Sequence, residues 1–571
     1  MKKSIFILFA IGILLSAATV VRAIPADPTP VTVVQPDGSK VTLVQHGDEW
    51  LHFTTTEDGY TVVKNSEGYY VYALKDGRRL ISSLIVAHDA ADRQSEELSF
   101  LSGIAKYIVP EMSEENAQRK REESHLRQAR RNTNRRNAKY AYENFRGLII
   151  LVEFNDMKFS RDDYKEILTD MINKKNYTGF DDEKFTGSMR DYFYDNSNGT
   201  FDPQFDVVGP YAVDYSQYEG GNNSRKIMSA AVDSADVDVN FKDYDLDHND
   251  EVDIIYFLFA GYAASFSGND DRLLWPHTSA VNLTRDNVRL YRYACSTELY
   301  GWESYPSSVK INGIGTMCHE FSHVLGLPDF YDTTYSGNPD PGDWSVMSVG
   351  YNNNYGRDPV GYSLYERWAV GFCDEPEILN TVGDYTLPPL FQNQKGYRLD
   401  TPNDGEFFLL ENRQKDLFKW DKYLPGSGML VFRVDRSDLT PWNKNHVNND
   451  SAHLCYKLIR ADGDNGNASN SDDVFPYYNK RLRKWLNTSL TNYTSPADLK
   501  TWDGKDNDFG IIDIQMNDGI ITFRLTDYTE TAIPAISSDG KTKTYYNLHG
   551  QRVSDSYKGL IIVDGKKVMR K

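Results

Sequence analysis

The chain has 571 residues, 40% of them hydrophobic, and a formal net charge of −19 at pH 7. This length predicts several domains rather than one core, and the apolar and aromatic content excludes a disordered protein. The acidic balance argues against nucleic acid as a partner, because phosphate binding needs a basic surface. The four cysteines are spaced neither like a metal site nor like a dense disulfide framework.

Residues 1–23 are typical of a signal peptide. Lys2 and Lys3 precede an apolar run from Ser4 to Val20, and Val21-Arg22-Ala23 supplies a small-residue cleavage site. A membrane anchor is the alternative, but the run is short and no stop-transfer flank follows it. No later stretch is apolar enough to cross a bilayer, so we expect a protein that is secreted or held at the outer cell surface.

Residues 24–138 are predicted to form a propeptide. β-Branched and aromatic runs at 31–34, 40–44 and 69–73 alternate with Asp-Gly turn signals, which indicates a small β-rich domain. The segment Arg119–Arg136 is strongly basic and almost free of apolar residues, so it predicts an exposed helix or linker that proteases can cut.

Residues 139–378 are predicted to form an α/β domain. Strand-like runs at 147–153 and 254–260 alternate with helix-like runs at 162–173 and 224–234. One loop between them places oxygen-bearing side chains at every second position, as EF-hand calcium loops do, and its candidate ligands are Asp245, Asp247, Asn249, Glu251 and Asp253. At position six of such a loop Asp250 replaces the usual glycine, and at position twelve Tyr256 replaces the glutamate that closes the loop. An acidic surface turn without calcium is therefore the alternative.

The segment from His319 to Asp329 reads H-E-x-x-H-x-x-G-x-x-D. His319 and His323 are four residues apart, so on a helix both imidazoles reach one metal ion. Gly326 can end the helix, and Asp329 then supplies a third ligand, leaving the open position that a catalytic zinc needs. Glu320 is the predicted general base for a zinc-activated water. Asp332, three residues beyond Asp329, is the competing third ligand.

Three more residues are candidates for a role near this motif. Met347, in the sequence Asp343-Trp-Ser-Val-Met-Ser348, predicts a Met-turn beneath the zinc ligands. Tyr351 is a candidate donor to the oxyanion, with ordinary packing as the alternative. His277 is either a residue of the cleft or a buried structural histidine.

The last two regions follow the catalytic motif. Residues 379–527 hold short strand-like segments separated by Gly, Asn and Asp turns, which predicts a β-sandwich that either binds a glycan or cell-surface ligand or only stabilises the protein. In the tail, residues 528–571, the sequence alone predicts two short strands and a basic end.

The motif at 319–332, the run at 342–350 and the strand at 147–156 resemble the M6 peptidases, the immune inhibitor A group of secreted metzincins. The resemblance implies a multidomain α+β protein with a β-rich propeptide, an α/β metzincin-like zinc peptidase domain and a C-terminal β-sandwich. It also implies a zinc endopeptidase that is made as a zymogen and cleaves proteins or peptides. The segments 546–553 and 558–571 resemble the C-terminal sorting tails of the type IX secretion system of Bacteroidetes.

Two questions stay open at the level of sequence. A carboxylate of the propeptide, with Asp48 as the candidate, could cover the zinc, although a turn at a strand end is the simpler interpretation. A surface adhesin with a silent peptidase-like domain is the alternative function. No catalytic element of the motif is missing, and this favours the enzyme.

Overall fold

The computed structural model describes residues 22–114, 116–118, 144–303, 305, 309–334, 340–463, 469–528, 545–547, 552–553, 559–563 and 566–570. The fold is mixed α/β and rich in sheet, and it forms two compact units, one extending to Leu525 and the other spanning Thr526–Lys571. The predicted signal-peptide run and the basic linker lie outside the described residues. Among the described residues, no helix combines the length and the apolar character that crossing a bilayer requires.

The region after the predicted cleavage site forms a six-stranded antiparallel sheet, preceded by the two-residue strand β1 (Arg22–Ala23). Strand β3 buries every second residue, among them Val41 and Leu43, so one face of the sheet forms a small core. The elements are β2 (Val31–Val34), β3 (Lys40–Gly47), β4 (His52–Thr56), β5 (Thr61–Lys64), β6 (Tyr70–Asp76), β7 (Arg79–Val86) and helix α1 (Ser95–Leu101).

The central region is built on a seven-stranded mixed sheet in the order β1-β13-β14-β12-β8-β11, with β15 paired to β14. Its strands, with the separate β9–β10 pair, are β8 (Arg146–Glu153), β9 (Gly179–Phe180), β10 (Glu183–Lys184), β11 (Gln204–Ala212), β12 (Ile255–Tyr262), β13 (His277–Arg285), β14 (Val288–Tyr300) and β15 (Lys310–Ile311). Its helices are α2 (Tyr164–Asn173), α3 (Met189–Asn196), α4 (Gly220–Ala235), α5 (Gly315–Leu325), α6 (Asn353–Gly356) and α7 (Leu364–Val370).

Both faces of this sheet are covered, which explains the continuous apolar run of β8. Leu148, Ile150 and Val152 pack into the core shared with α4. Ile149 and Leu151 point to the other face, where the core includes α2, α3 and α5. β11, β8, β12 and β14 are parallel, whereas β13 is antiparallel to β14 and pairs on its other side with β1. The sheet therefore lies behind α5.

Residues 377–527 contain a five-stranded sheet (β16-β18-β19-β20-β21) and a three-stranded sheet (β17-β25-β24) that share one core. The strands, with the separate β22–β23 pair, are β16 (Glu377–Ile378), β17 (Gly383–Leu387), β18 (Tyr397–Asp400), β19 (Glu406–Arg413), β20 (Gly428–Asp435), β21 (Tyr456–Leu458), β22 (Tyr477–Asn479), β23 (Lys484–Leu486), β24 (Phe509–Asn517) and β25 (Ile520–Asp527). Two short helices, α8 (Leu390–Asn393) and α9 (Thr440–Asn443), lie between them.

The second unit contains four short antiparallel strands among its described residues, where the tail sequence predicted two. They are β26 (Tyr545–Asn547), β27 (Arg552–Val553), β28 (Gly559–Val563) and β29 (Lys566–Arg570), and they are arranged in the order β27-β26-β28-β29.

Candidate metal centre

Helix α5 carries His319, Glu320 and His323, and all three are buried. A Cβ at Gly315, at the start of the helix, would lie 1.9 Å from the carbonyl oxygen of Tyr351, so only glycine permits this close approach. The helix ends at Gly326, whose φ of 114° lies in the left-handed region. The chain then turns back and brings Asp329 to the histidines.

Each histidine has one ring nitrogen fixed by a backbone carbonyl. Nδ1 of His319 lies 2.7 Å from the carbonyl oxygen of Val346, and Nδ1 of His323 lies 2.8 Å from that of Leu327. Since a carbonyl only accepts, both Nδ1 atoms carry the proton in these hydrogen bonds. In the neutral rings Nε2 is therefore the atom with a free electron pair, which is the tautomer that a metal ligand needs.

Asp329 completes a triangle of three ligand atoms. Its Oδ1 lies 3.1 Å from Nε2 of His319 and 3.3 Å from Nε2 of His323. Tetrahedral zinc, with bonds of about 2.0–2.1 Å, separates its ligand atoms by about 3.3 Å. The spacing and the donor set therefore fit zinc. In the described part of the chain, this is the one group of three or more His, Cys, Asp or Glu side chains that converges within ligand distance.

The carboxyl of Asp329 is held in its negatively charged form, which favours binding of a cation. Burial alone would raise the pKa of this carboxyl, but His323 and His319 beside it lower the pKa below its usual range. Asp329 is fully buried, so its negative charge is stabilised inside the protein rather than by water.

Glu320 follows His319 on helix α5, and its carboxylate contacts two other parts of the chain. Its Oε2 accepts a hydrogen bond of 2.6 Å from the hydroxyl of Thr278 on β13, which orients the carboxylate. Its Oε1 accepts one of 3.2 Å from the backbone N–H of Ile24, 296 residues away in sequence. Glu320 is completely buried.

The segment Ile24–Asp27 lies against the site. Nε1 of Trp275 donates to the carbonyl oxygen of Ile24 over 2.9 Å, and the hydroxyl of Tyr351 donates to that of Pro25 over 2.9 Å. The carboxylate of Asp27 accepts from Asn352 and Tyr300. All four residues of the segment are buried. These contacts have no signature in the sequence, apart from the segment's position directly after the predicted cleavage site.

Tyr351 and the loop that carries Met347 both contact His319. The ring of Tyr351 lies 5.4 Å from that of His319 and is inclined at 61° to it. Met347 is fully buried, and its carbonyl oxygen accepts a hydrogen bond from the backbone N–H of Phe330. The loop that carries Met347 therefore holds both His319, through Val346, and the chain that follows Asp329.

Three residues considered from the sequence have other partners. Asp332 accepts from the backbone and hydroxyl of Thr334, so the structure brings Asp329 and not Asp332 to the histidines. Asp48 accepts from the N–H groups of residues 50 and 51, which is the turn interpretation, and its carboxylate is not part of the metal triangle. His277 is buried and bonded to the carbonyl of residue 275 and the hydroxyl of Tyr293.

The predicted calcium loop is closed by its own carboxylates. Asp245 accepts from the backbone N–H groups of Asn249 and Asp250, and Asp253 accepts from that of Leu246. Asp250, which replaces the usual glycine, has a φ of 65°. The carboxylates of Asp245, Asp247 and Asp253 do not converge within ligand distance among these described residues. Calcium binding therefore stays a prediction.

Comparison with known proteins matches residues 144–368 to the immune inhibitor A peptidase M6 catalytic domain. Pre-pro-metalloprotease PrtV of Vibrio cholerae serotype O1 is 26% identical over 285 residues, which cover 41% of this chain and 30% of that protein. Immune inhibitor A of Bacillus thuringiensis subsp. alesti is 28% identical over 251 residues, which cover 36% of each protein. The chain thus spans about a third of the length of these relatives. The matched domain supports a metal-dependent peptidase.

Proposed function

We propose that this protein is an exported zinc-dependent endopeptidase that is synthesised as a zymogen. The observation that carries the proposal is the convergence of His319, His323 and Asp329 on one point, with Glu320 next to His319 on the same helix. The match of residues 144–368 to a peptidase M6 catalytic domain supports protein or peptide substrates.

In the proposed reaction, a zinc ion held by these three residues would polarise the scissile carbonyl and activate a water molecule. Glu320 takes the proton of the attacking water and later gives it to the leaving amine. Thr278 keeps the carboxylate in place through its 2.6 Å hydrogen bond. The hydroxyl of Tyr351 donates to the oxygen of the substrate carbonyl, as it donates to that of Pro25 in the structure.

Latency in this proposal comes from Ile24–Asp27. The nitrogen of Ile24, which becomes the terminal amino group once residues 1–23 are removed, donates to the carboxylate oxygen that the general base needs. The carbonyl oxygen of Pro25 accepts from the hydroxyl of Tyr351. Residues 24–138 are thus the proposed propeptide, cut in the basic linker. The name of the Vibrio relative, a pre-pro-metalloprotease, describes that protein in the same terms.

Export is proposed from the signal-like residues 1–23 and from the resemblance of the tail to type IX sorting tails. The localisation would be secreted or at the outer cell surface. Calcium at the Asp245–Asp253 loop is proposed as a structural ion, and residues 379–527 as a β-sandwich domain.

The test compares Glu320→Gln with the control Glu377→Gln, which changes an exposed glutamate in β16. Full-length protein is cut in the basic linker, and zinc content and casein cleavage are measured with and without a chelator. Loss of the general base should lower kcat by roughly 10²- to 10⁴-fold while zinc is retained, and the control should stay active. Activity that persists in Glu320→Gln or in chelator contradicts the mechanism, and wild-type protein without zinc favours the adhesin.

A further inference from the structure

The third residue of the metal triangle is held by a residue from outside the matched peptidase domain. Nδ2 of Asn445 donates to Oδ2 of Asp329 over 2.5 Å, and the backbone N–H of Asp329 donates to Oδ1 of Asn445 over 2.7 Å. Both side chains are buried, with exposures of 3% and 0%. Two reciprocal bonds between the same two residues fix the carboxylate relative to its own backbone.

This pairing decides which carboxylate oxygen faces the histidines. Oδ2 of Asp329 is occupied by the amide of Asn445, whereas Oδ1 is the atom that lies 3.1 and 3.3 Å from the two imidazole nitrogens. A carboxylate without such a donor can rotate and exchange its oxygens. With the donor in place, Oδ1 is held at the ligand position before any ion arrives, which lowers the cost of ordering the site.

Asn445 reaches this position because of its local backbone. It directly follows Lys444, which caps helix α9, and its φ is 57°, a left-handed conformation that asparagine tolerates better than most residues. The residue lies between β20 and β21, in the region beyond residue 368 where the peptidase match ends.

The same segment contacts the ligand loop at a second, similar point. Oδ1 of Asn449 accepts from the backbone N–H of Thr333 over 2.9 Å, and its Nδ2 donates to the hydroxyl of Thr333 over 2.8 Å. Both pairs are separated by 116 residues in sequence. Only the first pair holds a residue of the metal triangle, so the second serves as a built-in control.

We propose that Asn445 is a positioning residue for the metal ligand Asp329, and that the region beyond the peptidase domain therefore completes the metal centre. This inference rests on the proposed metal-binding function. It gives residues 379–527 a role in the site itself rather than only in binding or in stability. Asn445 acts through Asp329 and does not contact substrate.

The experiment compares Asn445→Asp with Asn449→Asp in the full chain. Each change keeps the size of the side chain and replaces an amide donor by a carboxylate. Beside Asp329 the new carboxylate repels a carboxylate, whereas beside Thr333 it still accepts from the hydroxyl and the N–H group. Zinc affinity is measured by competition with a chromophoric chelator, and the visible spectrum of cobalt(II)-substituted protein reports the ligand geometry.

Asn445→Asp should weaken zinc binding by about 10- to 100-fold and change the cobalt spectrum, while Asn449→Asp should match the wild type in both. Asn445→Gly, which suits the left-handed backbone, is the second variant and should also weaken binding if Asn445→Asp does not fold. Equal zinc affinity in wild type and the Asn445 variants, or an equal loss in Asn449→Asp, overturns the inference. Failure of wild-type protein to bind zinc overturns the proposed function instead.

Discussion

The backbone nitrogen of Ile24 lies 3.2 Å from Oε1 of Glu320, although 296 residues separate them in sequence. Ile24 is completely buried, so the same contact that occupies the carboxylate also keeps solvent from it. In the proposed enzyme, Glu320 thus has two successive partners, the propeptide before activation and a water molecule after it. The strength of the contact between Ile24 and Glu320 sets how low the activity of the uncut chain is.

Asp27→Ala is expected to raise the activity of the uncut chain. The change removes the carboxylate that Tyr300 and Asn352 bind, and a buried donor left without a partner costs about 1–3 kcal/mol. A docked segment weakened by one such loss should open roughly 5- to 150-fold more often. Casein cleavage by uncut protein measures this. Asp37→Ala, an exposed carboxylate in the β2–β3 turn, is the matched control. Unchanged activity in Asp27→Ala would contradict a role for this residue in latency.

Latency is expected to weaken as the pH rises. Burial raises the pKa of Asp27, although hydrogen bonds from Tyr300, the N–H group of Thr29 and Asn352 partly offset this. The docked segment therefore binds a proton more tightly than the free one. Docking is strongest below the usual pKa of an aspartate and loses stability as the pH rises through the raised pKa.

The measurement is the activity of uncut protein divided by that of cut protein at each pH, which removes the pH dependence of catalysis itself. The ratio should rise with pH in the wild type and then level off, and it should be flat in Asp27→Ala. A ratio that falls as the pH rises, or the same slope in both proteins, would rule out this titration.

The local parts of the site could be predicted from sequence, and the long-range parts could not. Helical spacing fixes the positions of His319, Glu320 and His323 relative to one another. Gly326 is expected where the chain must turn after the helix. The apolar run at 147–153 likewise predicted a strand, and the fold adds that both faces of β8 are covered.

The contacts of Ile24 and Asn445 have no such signature. A backbone N–H group carries no information about its partner, and an asparagine in a polar loop is an ordinary turn residue. Both join segments more than 100 residues apart, so only the packed fold brings them to the site. The carboxylate of Asp48, the propeptide residue considered from the sequence, accepts from the N–H groups of its own turn.

Tyr351→Phe is expected to lower kcat of the cut enzyme by roughly 10²- to 10³-fold, the usual cost of losing one donor to a developing oxyanion. The hydroxyl already donates to a carbonyl oxygen, that of Pro25, over 2.9 Å. Tyr355→Phe, which removes the hydroxyl of a partly exposed tyrosine four residues away, should have little effect. Zinc content should be equal in both variants. A Tyr351→Phe enzyme with wild-type kcat would assign this tyrosine to packing and to latency alone.

Calcium is expected to stabilise the wild-type chain, and Asp247→Ala should abolish the effect. Burial, together with the neighbouring charges of Asp247 and Asp245, raises the pKa of Asp253 to about 6. A cation in the loop would relieve this repulsion and add about 2.7 kcal/mol at a concentration one hundred times its Kd. The stabilisation is measured as the difference in thermal unfolding temperature between protein with calcium and protein with a calcium-selective chelator. Asp162→Ala, an exposed aspartate outside the loop, should keep the full response. If wild-type protein unfolds at the same temperature in both solutions, the loop is an acidic turn, closed by the hydrogen bonds from Asn249 and Asp250 to Asp245.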